Sequence, residues 1–216
     1  MANLPCEGVE TMFGKIASDA LGLSDRCKVI KPADYDSCAS DDYLLHEDGE
    51  KIYFLLKSRS DEYCFTNYAL IHLDGKNAVS KKRMLRRYNF SAYDISQVFL
   101  ETAGTLDLDV EIKFRLGGMD FSIDIAKENL PELKQLYKVL VSMADLMAKN
   151  KDLMDFAERA VQIASASVGA NHSQNANLAD QFERITAYSF LWLKESKSDY
   201  TSKKDYTDIF QKFIQS

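Results

Sequence analysis

The clearest pattern of apolar and polar positions lies in the middle of the chain, over residues 106–116. Every even position in this stretch is apolar, and every odd position from Asp107 to Arg115 is charged. Apolar side chains at every second residue predict a β-strand that buries one face and exposes the other to water. The alternation favours an antiparallel sheet, because the strands of parallel sheets are covered on both faces and are apolar throughout. The centre of the chain is therefore predicted to form a half-exposed β-structure.

Turn residues divide the neighbouring sequence into more short strands. Polar or glycine-containing turns, such as Asp74-Gly75 and Gly117-Gly118, separate short runs that are apolar or that alternate. The predicted strands are 51–57, 62–66, 69–73, 84–90, 95–102, 106–116 and 120–125. About seven short strands with closely spaced turns predict a closed or nearly closed barrel or sandwich.

Helical periodicity is present on both sides of the strands. In residues 9–21, apolar side chains recur at intervals of three and four, and Gly22 follows at a typical helix end. Lys15 is the one cation of this amphipathic helix, whereas a membrane-surface helix carries several. We therefore expect the helix 9–21 to dock on its own domain or on a sister subunit. After the strands, Asn129 is a suitable N-cap, and a helical apolar face continues to Met147. This second helix is predicted to plug one open end of the barrel.

The C-terminal part of the chain predicts two more helices. The composition changes at Lys149-Asn-Lys151, after which residues 153–168 and 178–195 have amphipathic patterns separated by a polar loop, 169–177. Two such helices do not bury their apolar faces well by themselves, so we expect them to pack on the barrel or on copies of themselves. The side chains that we expect in contacts between subunits are Phe156, Val161, Phe182, Ile185 and Trp192.

Composition excludes several classes of protein. The net charge of −6 argues against general nucleic-acid binding, which normally uses a basic face. The four cysteines, at positions 6, 27, 38 and 64, are far apart and form no C-x-x-C pair, which is typical of reduced thiols in the cytosol. The N-terminus lacks the pattern of a signal peptide, and no apolar run approaches the ~18 residues of a membrane span. We therefore expect a soluble, cytoplasmic protein.

Several segments resemble a bacterial pleckstrin-homology (PH) domain family. They are LHEDGEKI (45–52), YCFTN (63–67), LIHL (70–73) and, most distinctively, ETAGTLDLDVEIKF (101–114). The region after residue 150 is similar to a helical extension that some members carry and that is associated with oligomerisation. The resemblance implies an α+β protein with a PH-like antiparallel β-barrel capped by a helix, ring-like self-association and no established enzymatic activity. It assigns no site residues.

With this resemblance, the chain is predicted to contain three parts. Residues 1–42 form an N-terminal helix and an acidic linker, residues 43–148 form the PH-like barrel, and residues 149–216 form a helical extension for self-association.

A basic segment, 81–87, is the most concentrated charge in this acidic protein. Its cations are Lys81, Lys82, Arg83, Arg86 and Arg87. Eukaryotic PH domains bind phosphoinositide headgroups with basic residues, and by analogy this segment is predicted to contact an anionic lipid or ligand. Alternatively, these side chains belong to a solvated or internally paired strand, because a strand points them to both faces and the acidic stretch 34–50 is available to neutralise them.

The sequence contains no recognisable catalytic motif. It lacks the phosphate-binding, nucleophile-elbow and zinc-protease patterns G-x-x-x-x-G-K-[ST], G-x-G-x-x-G, G-x-S-x-G and H-E-x-x-H. Cys64 and His72 lie on two strands that are predicted to pair, but a nucleophile also needs an orienting group and a cleft. The adjacent residues of His46-Glu-Asp48 point in divergent directions, which favours a solvated turn over a metal site. No enzyme activity, cofactor, metal or small-molecule substrate is predicted.

These observations lead to two hypotheses of function. The first is a non-catalytic PH-like scaffold that forms a homo-oligomer through its helices. The alternative is a peripheral membrane or anionic-ligand binding module that uses the basic segment 81–87.

Overall fold

The computed structural model describes residues 26–75, 83–102, 109–170, 178–201 and 205–214. Its strands form two antiparallel sheets, one of five strands in the order β1-β2-β3-β4-β5 and one of three strands in the order β6-β7-β8. The first sheet contains β1 (Lys28–Val29), β2 (Ile52–Lys57), β3 (Glu62–Thr66), β4 (Ala69–Asp74) and β5 (Met84–Asn89). The second contains β6 (Ile95–Glu101), β7 (Asp109–Leu116) and β8 (Met119–Ala126). The helices are α1 (Leu130–Ala170), α2 (Leu178–Thr201) and α3 (Thr207–Phe213).

All seven predicted strands are present in the structure within a few residues of their predicted ends. The N-terminal residues of the strand predicted at 106–116 lie outside the described residues, as does the whole helix predicted at 9–21. The structure adds the two-residue strand β1, which pairs antiparallel with β2 through Lys28 and Lys57, and Val29 and Leu56. A strand this short leaves no periodic pattern in the sequence, because periodicity is recognisable only over several residues.

The two sheets form a sandwich and are joined along one side. Cys27 makes a parallel bridge to Ile125 of β8. Its backbone N–H donates to the Asp124 carbonyl at 2.8 Å, and its carbonyl accepts from the Ala126 N–H at 3.0 Å. Within the described residues, the ladders of the two sheets are otherwise separate. The predicted closed or nearly closed barrel or sandwich is thus observed as a sandwich of two sheets.

The interior of the sandwich is sealed by the first half of α1. On β7, the apolar members of the alternating pattern (Val110, Ile112, Phe114 and Leu116) are buried, as predicted. Leu133, Leu136, Val139, Leu140 and Met143 of α1 have no exposed surface and belong to the same core. Burying one such side chain stabilises the fold by about 1.5–3 kcal/mol, so the predicted capping helix is an essential part of the core.

Helix α1 does not end where the composition changes. It runs without a break for 41 residues from Leu130 to Ala170 and joins the two helices predicted at 129–147 and 153–168. At a rise of ~1.5 Å per residue, it extends for about 60 Å. Lys149 and Lys151 are exposed, and lysine is a good helix former. The composition therefore changes because the helix leaves the sandwich, and the helix itself continues.

The acidic stretch 31–50 covers the outer face of the five-stranded sheet. It forms short 3₁₀ turns at Pro32–Ser37, Asp41–Tyr43 and His46–Asp48. Between these turns, Cys38 and Leu44 pack on Leu55, Cys64 and Ile71 of the sheet and form a second, smaller core. The stretch has the composition of a linker, but these apolar anchors attach it to the sheet.

Candidate functional site

The second half of α1 and the whole of α2 pack side by side and form a helical hairpin. An apolar groove of about 440 Å³ lies between them. Its lining includes Ala160 and Val161 from α1, and Ile185, Tyr188 and Trp192 from α2. Because amphipathic helices bind in grooves of this kind, the shape and chemistry of the groove suit a further helix.

The structure brings together three of the five side chains that the sequence predicted for self-association. Val161, Ile185 and Trp192 line the groove and are each half-buried. Phe156 lies on the same hairpin and is 61% exposed. Phe182 belongs to α2, but its side chain lies outside the described part of the structure.

The hairpin exposes more apolar surface than the sequence pattern indicated. Among its described side chains from position 149 to 201, only those of Ala157 and Ser196 are buried. Large apolar side chains are exposed on both helices: Leu153, Phe156, Ile163, Tyr188, Phe190 and Leu191. Five of these, at positions 153, 163, 188, 190 and 191, were not in the predicted set. A helix that is apolar on more than one side is typical of a helix with several partners, and this signal was available in the sequence.

The basic segment is only partly a surface feature. Lys81 and Lys82 lie outside the described residues, and Arg83 is exposed at the start of β5. The Arg86 Nη1 donates to Asp74 Oδ2 at 2.8 Å. The Arg87 Nη1 and Nη2 donate to Glu50 Oε2 and Oε1, each at 3.0 Å. Of the three described arginines of this segment, two are therefore engaged in ion pairs within the chain.

Glu50 is a buried carboxylate that accepts hydrogen bonds from several parts of the chain. Its side chain has no exposed surface. Besides the two bonds from Arg87, it accepts one from the Leu45 backbone N–H at 2.8 Å and one from the Thr66 hydroxyl. Hydrogen bonds to a charged group are roughly twice as strong as those between neutral groups. This carboxylate thus connects the acidic stretch, the end of β3 and β5.

One end of the five-stranded sheet still presents exposed arginines. A Cβ atom on Gly75, which follows β4, would lie 2.6 Å from the Ser60 carbonyl oxygen, so the chain after β4 packs tightly against the β2–β3 turn. The β2–β3 turn carries the exposed Arg59. Arg83 directly precedes Met84, which pairs with Asp74 at the end of β4. Arg59 and Arg83 are consequently at the same end of the sandwich.

Cys64 and His72 lie on opposite faces of the sheet. Cys64 pairs with Ile71 in the β3–β4 ladder, and both belong to the small outer core. His72 pairs with Tyr63, and their rings stack with centroids 4.3 Å apart. Burial raises the pKa of the Cys64 thiol and lowers the pKa of His72. These two residues therefore do not form a Cys–His couple.

The described residues contain no group of three or more His, Cys, Asp and Glu side chains that could hold a metal ion. Across the same part of the chain, no helix combines the length and the apolarity that crossing a membrane requires.

Comparisons with known proteins agree with this architecture. Residues 20–144 match a family described as bacterial PH domain, and residues 155–216 match a YvbH-like oligomerisation region. The uncharacterised protein YvbH of Bacillus subtilis is 51% identical over 203 residues, which cover 94% of this chain and 99% of that protein. The crystal structure of a PH-domain-containing bacterial protein from Exiguobacterium sibiricum has a TM-score of 0.78 and 43% identity, and the match covers 88% of this chain and 100% of the other.

Proposed function

The chain belongs to the bacterial PH domain family, and on that premise we propose that it is a non-catalytic, cytoplasmic scaffold that assembles with copies of itself. The sandwich provides a rigid frame, and the hairpin of α1 and α2 provides the contacts between copies. The partner in this proposal is a second copy of the same chain. The match of residues 155–216 to an oligomerisation region supports this choice of partner.

The observation that carries the proposal is the uncovered apolar surface of the hairpin. Phe156, Ile163, Tyr188 and Phe190 are between 61% and 72% exposed. Covering one large apolar side chain contributes about 1.5–3 kcal/mol, whereas association costs ~4–15 kcal/mol in lost motional freedom. Several such side chains must therefore be buried together, and the hairpin exposes them on both of its helices.

The mass of the protein in solution tests this proposal directly. Light scattering during size-exclusion chromatography is expected to give a multiple of the protomer mass of 24.5 kDa. Because the contacts are apolar, the assembly is expected to persist when the salt concentration is raised, whereas an assembly held by surface ion pairs would weaken. A protein that remains monomeric at all concentrations and salt conditions would overturn the proposal.

A second candidate function is binding of an anionic ligand or an anionic membrane surface. The exposed positions of Arg59 and Arg83 at one end of the sandwich support it, and Lys81 and Lys82 are adjacent in sequence. Arg86 and Arg87 contribute less charge to this surface, because Asp74 and Glu50 neutralise them. The two functions are compatible, since an oligomer would present many weak binding sites at once and gain affinity from multivalency.

Charge reversal of Lys81, Lys82 and Arg83 to Glu is expected to abolish binding to anionic vesicles. Each cation near such a surface contributes ~1 kcal/mol, so the loss of three weakens binding by more than about a hundredfold. Co-flotation with phosphatidylserine-containing and neutral vesicles at near-physiological salt measures this effect. Lys134→Glu is the matched control, because it reverses an exposed charge on α1, away from the segment. Absence of wild-type binding, or equal binding to both kinds of vesicle, would exclude this function.

A further inference from the structure

The last helix, α3, is part of the core of the PH sandwich although it follows the hairpin in the chain. Tyr206 is 2% exposed, and Phe210 has no exposed surface. The Phe210 ring stacks on Tyr53 of β2 with centroids 5.0 Å apart, and the Tyr206 ring meets the edge of Phe90 at 5.7 Å. The segment that matches the oligomerisation region therefore ends inside the PH core.

Polar contacts hold this segment in a defined position. The buried Asn67, in the β3–β4 turn, accepts a hydrogen bond from the Tyr206 N–H on its backbone carbonyl at 3.0 Å. Its side-chain Nδ2 donates to Asp205 Oδ1 at 3.2 Å, and the same oxygen accepts from the Thr207 N–H at 2.8 Å. The Tyr53 hydroxyl donates to Thr207 Oγ1 at 3.3 Å. These bonds hold the N-terminal end of α3, and the stacking of Phe210 on Tyr53 holds the helix one turn further along, so α3 docks in one orientation.

The hairpin is consequently attached to the sandwich at two points. Its first anchor is the buried N-terminal half of α1, and its second anchor is α3. Only three residues, 202–204, separate the end of α2 at Thr201 from Asp205. Between the two helices of the hairpin, few described side chains are buried, so the packing of α2 on α1 is weak compared with the packing of α1 on the sandwich.

We propose that α3 is the anchor that keeps α2 packed on α1, and that it thereby holds together the surface to which a second copy of this chain binds. This inference rests on the function proposed above. In proteins most of the stability of a helix comes from the packing of its amphipathic face rather than from helix propensity, so α2 depends on its contact with α1. A short tether to a firmly docked helix raises the effective concentration of α2 at its site on α1.

Lengthening the tether tests this inference without removing any side chain from the core. A flexible Gly/Ser segment inserted between Thr201 and Asp205, which makes this connection about ten times longer, lowers the probability of closure by roughly thirtyfold. Amide hydrogen exchange in α2 is expected to become up to about thirtyfold faster, because amides exchange when α2 transiently separates from α1. The oligomer is expected to dissociate or become heterogeneous, whereas the sandwich keeps its melting temperature. The control protein carries the same Gly/Ser segment after Ser216.

The outcomes separate this inference from the proposed function. Unchanged exchange in α2 would show that α3 does not hold it and would overturn the inference. Accelerated exchange with an unchanged oligomer would also overturn it, since the surface would then not depend on the anchor. Accelerated exchange together with a monomeric control protein would support the anchor and reject self-association as the function.

Discussion

Replacing Phe156 and Tyr188 together with glutamate is expected to convert the assembly into protomers of 24.5 kDa. Both side chains are more than half exposed in the protomer, so the substitutions leave its core intact. In the assembly, each would place a carboxylate in an apolar contact, and burial of an unpaired charge costs several kcal/mol. A loss of ~4 kcal/mol corresponds to a decrease of about a thousandfold in the association constant.

Light scattering gives the mass of this double variant, and circular dichroism establishes that it remains folded. Gln162→Glu is a suitable control, because it adds a negative charge to an exposed polar position of the hairpin. The control is expected to keep the mass of the wild type. If the double variant also kept that mass, the surface around the groove would not be the contact between copies.

Replacing Glu50 with alanine is expected to give the largest loss of stability of any single polar substitution in the described sandwich. The change removes the carboxylate that accepts two bonds from Arg87, one from the Leu45 N–H and one from the Thr66 hydroxyl. The Thr66 hydroxyl keeps the Ala69 carbonyl as an acceptor at 3.1 Å, whereas the Leu45 N–H and Arg87 lose these bonds. Breaking a buried ion pair from one side costs about 3–5 kcal/mol. Arg87 retains some contact with water, so we expect a value near the lower end, about 3 kcal/mol.

Chemical denaturation of wild type and variant measures this loss as a change in the free energy of unfolding. The exposed pair of Arg115 and Asp120 provides the control, because Asp120→Ala removes a carboxylate that water already solvates. Little change is expected there, since surface ion pairs contribute weakly. Equal denaturation midpoints for the Glu50 and Asp120 variants would contradict the structural role assigned to Glu50.

The two proposed interaction surfaces are placed on different parts of the fold. The hairpin extends from the sandwich because α1 continues beyond the core, and the exposed arginines lie on the β2–β3 turn and at the start of β5. A homo-oligomer built through the hairpins would thus leave the arginine-bearing end of each sandwich available. Mass measurements on the variant with Lys81, Lys82 and Arg83 reversed should accordingly give the same oligomer as the wild type.

Local pattern was sufficient to predict the strands and the capping helix. On β7, for example, the alternation of Val110, Ile112 and Phe114 with charged residues specifies a strand and its buried face, because side chains of a strand alternate between faces. Similarly, the helical spacing of Leu133, Leu136 and Leu140 specifies the side of α1 that seals the sandwich. The presence of Val161, Ile185 and Trp192 in one groove also follows from helical periodicity within two neighbouring helices.

Contacts between residues far apart in the chain were decided by the tertiary structure alone. Asn129 directly precedes α1, as expected of its N-cap residue, and its Oδ1 also accepts the Val29 N–H at 3.2 Å, 100 residues away. Two further contacts also join residues that are far apart in the chain. They are the ion pair between Glu50 and Arg87 and the hydrogen bond between Tyr206 and Asn67. The polarity and periodicity of a sequence specify which side chains need to be buried or hydrogen-bonded. The partner itself is set by how the sheets and helices pack, since many residues of the same type could satisfy the same local need.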